Sequence, residues 1–157
     1  MIRRGNYMLK KFLIIGLLVL SSLTISVSAQ TKTVINSAKA KTMLLGKHKF
    51  SLQWISWDYF GTATVTQKNG VYYLKGEQKA RKGTDFVKID GVITEINEKS
   101  FIFDGKVISQ ISHINNGEPC ERNGEMTFKI TGKRKYWRLQ QMETCDGVTD
   151  YVDIFFK

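Results

Sequence analysis

The chain has 157 residues, 42% hydrophobic and 11% aromatic, with one proline and 13 glycines. That length fits one domain, and the composition excludes a disordered or low-complexity chain. The formal charge of +10 favours anionic partners over cationic ones, but four basic residues fall in an N-terminal targeting segment, and without residues 1–29 the balance is 20 basic against 14 acidic.

Residues 1–29 read as a secretory signal. Arg3, Arg4, Lys10 and Lys11 make the positive region, and residues 12–20 are an almost unbroken apolar run. Val27-Ser28-Ala29 puts small residues at the two positions a signal peptidase reads, so cleavage is expected after Ala29. Met8 is an alternative start, because the stretch from it already makes a complete signal. A membrane anchor is the competing reading. Its continuous run falls short of the roughly 20 apolar residues a span needs, so no stable span is expected after cleavage. The style of the segment is bacterial, and a periplasmic or secreted product is expected.

Residues 30–45 form an arm or a short helix. Val34, Ala38, Thr42 and Leu45 are spaced for one helical face. From Lys49 the period changes to two: Phe50, Leu52 and Trp54 alternate with Ser51 and Gln53. A strand over 60–67 follows, and Asn69-Gly70 is a hairpin signal, because both turn positions need positive φ. The next strands span 71–78 and 85–97, joined by the basic loop Lys79-Ala80-Arg81-Lys82-Gly83. Asp90-Gly91 and Asp104-Gly105 predict bulges or sharp bends. A strand over 100–112 has Phe101, Phe103, Val107 and Ile111 on one face. Asn123-Gly124 predicts a second hairpin, opening a strand over 125–131. The last pair covers 136–142 and 149–156, with Cys145-Asp146-Gly147 as the bend.

About eight short strands joined by tight turns, with no strand–helix–strand alternation, predict an all-β fold. Residues 46–157 are expected to form a single antiparallel meander that hides its edges by closing into a small barrel; a β-sandwich is the alternative. Such a barrel is just wide enough to be filled by side chains or to hold one small ligand.

Cys120 and Cys145 are the two cysteines, and in an oxidising compartment they are expected to pair. If the strands are sequential neighbours, both lie at one end of the barrel. The bond would close a loop worth about 3–4 kcal/mol in the chain-entropy model. A metal site lacks ligands, since His48 and His113 stand alone. No catalytic residue and no cofactor is expected: there is no G-x-S-x-G stretch, no phosphate loop, and no base beside a nucleophile. Glu95 and Glu98 are near in sequence, as are Asp150 and Asp153. In a strand Asp150 and Asp153 point to opposite faces, which denies them an acid–base partnership. A polar outer face, or a salt bridge from Asp153 to Arg138, is expected instead.

The aromatic residues are numerous enough to fill a core or to line a cavity. Trp54, Tyr73, Phe101, Phe103, Trp137 and Phe155 are the candidate cavity set, for a small apolar or amphipathic ligand. Lys79, Arg81, Lys82, Lys133, Arg134 and Lys135 are the candidate basic surface, for an anionic component of the cell envelope. Lys135-Tyr136-Trp137-Arg138 mixes base and ring as nucleic-acid platforms do, but an exported chain gives it no nucleic acid to meet.

Leu45-Gly46-Lys47, ahead of the strand before Trp54, resembles the G-x-W opening of lipocalin barrels, with His48 where the tryptophan would stand. Thr149-Asp150-Tyr151 is similar to the lipocalin T-D-Y triplet, though later in the chain. Residues 132–156 also look similar to small secreted bacterial proteins without a known activity. The first resemblance implies a lipocalin-like (calycin-like) barrel, and neither transfers a functional residue. The leading expectation is a non-enzymatic ligand-binding barrel. An envelope-binding domain is the alternative, and an outer-membrane barrel is a third reading, opposed by strands short of the roughly 9–11 residues a span needs.

Overall fold

The computed structural model describes residues 31–157. The expected signal and its cleavage point lie outside the described residues. The strands are β1 (Val34–Ile35), β2 (Gly46–Leu52), β3 (Gly61–Lys68), β4 (Val71–Lys79), β5 (Phe86–Ile96), β6 (Ser100–Gln110), β7 (Cys120–Lys129), β8 (Tyr136–Leu139) and β9 (Val152–Phe155), with a helix α1 (Ala38–Leu44) between the first two. From β2 onward each strand pairs antiparallel with the next, and β9 returns to β2 through Phe50↔Ile154, Ser51↔Asp153 and Leu52↔Val152. The meander therefore closes into an eight-stranded barrel, not a sandwich. β1 lies outside the ring, parallel to the end of β5 at Glu95 and Ile96.

Local signals explain much of this path. Asn69 and Gly70 have φ of 54° and 85°, as the hairpin reading requires. In β5 and β6 the inner positions run Val87, Ile89, Gly91, Ile93 and Phe101, Phe103, Gly105, Val107, Ser109. Alternation is unbroken through both glycines, so the bulges expected at Asp90-Gly91 and Asp104-Gly105 are absent. The register shift lies between Ile93 and Glu95. Asn123-Gly124 is not a hairpin either, but the middle of β7. Gly91 faces Gly105, and Gly105 faces Gly124. A Cβ on Gly105 would sit 2.5 Å from the Asp90 carbonyl oxygen and 2.6 Å from the Gly91 Cα. The strands approach too closely there for any side chain.

The helix is short and starts at its cap: the Ser37 hydroxyl accepts from the Ala40 N–H at 3.2 Å. Its buried side is Ala40 and Leu44, not the expected Val34–Ala38–Thr42 face, because Val34 belongs to β1. The last two strands are shorter than expected, since residues 140–151 leave the sheet and fold over one barrel end. Trp54 likewise lies past the end of β2.

Phe101, Phe103, Phe128 and Trp137 are fully buried. Phe101 stacks on Phe128 at 5.0 Å and meets Trp137 edge-on at 6.0 Å; Phe103 meets Phe128 edge-on at 6.1 Å. Gly105→Ala is expected to cost about 1–3 kcal/mol through overpacking, read as a lower urea midpoint with an unchanged denaturant slope.

Candidate functional site

The six candidate cavity residues divide. Phe101, Phe103 and Trp137 point inward, Phe101 packing on Trp137 and both phenylalanines on Phe128. Tyr73 alternates with buried Tyr72 and Leu74, so it lies on the outer wall. Phe155 is also outside, edge-on to Phe60 at 5.0 Å, and Trp54 is exposed in the β2–β3 loop. The set does not face a common space.

Two buried ion pairs organise the polar groups. On the outer face of β8 and β9, Arg138 makes two bonds to Asp153, at 2.7 and 2.6 Å, as the strand reading anticipated. The guanidinium also lies 3.9 Å from the Tyr151 ring centre and 5.1 Å from that of Tyr136. Burial pushes the Asp153 carboxyl up and the Arg138 bonds pull it back; on the arginine side the Asp153 bond outweighs burial and pushes the guanidinium up. Two short bonds and two stacked rings hold the pair in its ionic form.

The second pair is inside, at the end covered by residues 140–151. Asp150 accepts from Arg122 Nη2 at 2.9 Å, Trp54 Nε1 at 3.0 Å and Ser109 Oγ at 3.3 Å. Burial pushes the Asp150 carboxyl up and the Arg122 guanidinium down from their ordinary values. The Cys120–Cys145 disulfide ties β7 to the same segment, so both cysteines sit at one end as expected. No local signal announces Arg122 and Asp150, which are 28 positions apart. His48 was also illegible as a clamp: its ring nitrogens lie 2.7 Å from the Leu44 carbonyl oxygen and 2.9 Å from that of Phe155.

The candidate basic surface is not one surface. Lys133, Arg134 and Lys135 lie in the β7–β8 connection, at the barrel end that carries α1. Arg81 and Lys82 lie in the β4–β5 loop at the opposite end, and Lys79 is on the wall. In a meander, successive connections alternate between ends, and this parity separates the two basic stretches.

Sorting the other charges the same way gives a polar molecule. Outside β2–β9, the α1 end holds Lys32, Lys39, Lys41, Lys99, Lys133, Arg134, Lys135 and Lys157, against Glu98. The opposite end holds Arg81 and Lys82, against Asp58, Asp85, Glu118, Glu143, Asp146 and Asp150. On the wall, a groove of about 840 Å³ runs past Lys75, Lys88 and Lys106. These lysines are matched: Lys75 with Asp90 at 3.1 Å, Lys88 with Glu77 at 3.3 Å, Lys106 with Glu121 at 2.8 Å. Among the described residues, none of the eight basic groups at the α1 end has such a carboxylate partner.

Arg138→Met is expected to cost about 3–5 kcal/mol by leaving the Asp153 carboxylate buried and unpaired, while Arg138→Met with Asp153→Leu regains most of it. Urea unfolding of both variants measures the difference.

Residues 32–156 match the model of the PM1083 family. An uncharacterised protein of Pasteurella multocida (strain Pm70), PM1083, is 44% identical over 135 residues, covering 85% of this chain and 87% of its own. No solved structure matches.

Proposed function

We propose that this chain, which belongs to the PM1083 family, is a non-enzymatic barrel of the bacterial envelope that binds a phosphate-bearing anionic surface through its α1 end. The observation that carries this reading is the contrast between wall and end. Lys75, Lys88 and Lys106 on the wall are matched to carboxylates across strands and the unmatched wall lysines, Lys47, Lys49, Lys68 and Lys129, are spread over three strands, whereas eight basic groups crowd the α1 end against one acid. Such a cluster attracts anionic headgroups with about 1 kcal/mol per Lys or Arg near the surface.

Other features support the rest. The buried carboxylates are each engaged by an arginine, which leaves no free acid–base pair among them for chemistry. The Cys120–Cys145 bond and the signal-like residues 1–29 fit export, with Gln30 as the first residue of the mature chain. Charged rows such as Lys75, Asp90 and Lys106 cross the outer wall, where a lipid-embedded barrel would carry an apolar band. The packed rings of Phe101, Phe103 and Trp137 favour work done from the outside over a ligand held in the core.

Co-sedimentation with vesicles containing phosphatidylglycerol tests the reading, with phosphatidylcholine vesicles as the comparison. Binding is expected to the first alone and to fade as salt rises. Replacing Lys133, Arg134 and Lys135 with glutamate is expected to weaken it about 100-fold, while Arg81→Glu with Lys82→Glu leaves it nearly unchanged. Equal loss in both variants would overturn the assignment to the α1 end.

A further inference from the structure

We infer that the two ends of the barrel recognise each other between molecules, so that the acidic end of one copy docks head to tail on the α1 end of a second copy. Three observations converge on that occupant. The ends carry opposite charge, five acids (Asp150 is buried on Arg122) against two bases on one and eight bases against one acid on the other.

The exposed large apolar side chains among the described residues follow the same division. Trp54 and Trp57 (58% exposed) stand on the β2–β3 loop at the acidic end, while Val34 (54% exposed) and Ile35 stand on β1, at the α1 end. Each end therefore combines charge with an exposed apolar pair, the composition of a surface that docks. Trp57 adds a ring that a lysine of the partner can cap.

Finally, the ring of β2–β9 closes on itself, and the wall lysines Lys75, Lys88 and Lys106 are already matched. The charge that is concentrated by sign lies at the ends.

Because the two surfaces differ, the contact is heterologous, and it extends into a stack unless the rotation between copies happens to close a ring. Every open stack keeps one free basic end, so self-association and attachment to an anionic surface are compatible in one particle. The inference does not depend on that attachment.

Sedimentation velocity without any lipid tests it. The average mass is expected to rise with protein concentration at low ionic strength and to return to that of one chain near 1 M salt, where the screening length is about 3 Å. Two variants identify the contact. One carries Lys133→Glu, Arg134→Glu and Lys135→Glu at the α1 end. The other carries Trp57→Ser, Asp58→Lys, Glu118→Lys and Glu143→Lys at the acidic end. Each alone is expected to stay monomeric at low salt, with unchanged circular dichroism. Mixed one to one, they have one intact surface of each kind and are expected to form a dimer and nothing larger. A wild type that stays monomeric at low salt would overturn the inference. So would a mixture that remains monomeric, or a single variant that still associates as the wild type does. The acidic-end variant is expected to keep its binding to phosphatidylglycerol vesicles, so failure of the head-to-tail contact is distinguishable from failure of the surface reading.

Discussion

A sheet that closes must bring its last strand back to its first, and here the seam that does so is narrow. β7 meets β8 over Phe128↔Leu139 and Lys129↔Arg138, and β9 meets β2 over residues 50–52 and 152–154. Compared with the ten-residue ladder between β6 and β7, this is little backbone bonding. Side chains supply what the ladder lacks. Arg138 and Asp153 lock β8 to β9, the Trp137 ring packs beneath them against Phe101, and Lys157 Nζ donates to the Leu45 carbonyl. Away from the seam, Gly91 and Gly105 let β5 and β6 approach closely enough for the sheet to curl. Break either device and the ends of the barrel, with everything they carry, lose their shape.

Much of this architecture is legible along the chain. The alternation at Phe101, Phe103 and Val107, the turn at Asn69-Gly70 and the pairing of the two cysteines all depend on neighbours or on compartment, and all three hold. What escapes is whatever depends on strands lying side by side. Asn123-Gly124 has the composition of a hairpin, yet Gly124, with a φ of 92°, lies within β7 opposite Gly105. Composition alone cannot separate a positive-φ glycine that reverses the chain from one that stays within a strand. The same holds for Asp150, whose partners Trp54, Ser109 and Arg122 come from three other elements.

The basic residues show the limit most clearly. Local density groups Lys79, Arg81 and Lys82 with residues 133–135 as equivalent candidates. Topology then sends Arg81 and Lys82 to an acidic neighbourhood and gathers Lys32, Lys39, Lys41, Lys99 and Lys157 around Lys133. These residues are scattered over more than a hundred positions and have no motif in common. They share only the parity of the connection on which they sit. The charge pattern of this molecule is thus written in the order of the strands as much as in the residues themselves.

The separation of charge has a kinetic side. The two ends lie at opposite limits of strands of eight to eleven residues, roughly 20–30 Å apart once strand rise and barrel tilt are combined. That exceeds the Debye length of about 8 Å at physiological salt, so a charged surface feels one end at a time. The molecule is a permanent dipole along the barrel axis, and an external field exerts a torque on it before any atoms touch. Tumbling freely far from a negative surface, it would turn its helix-bearing end inward on approach, so that a larger share of collisions begins in the productive orientation.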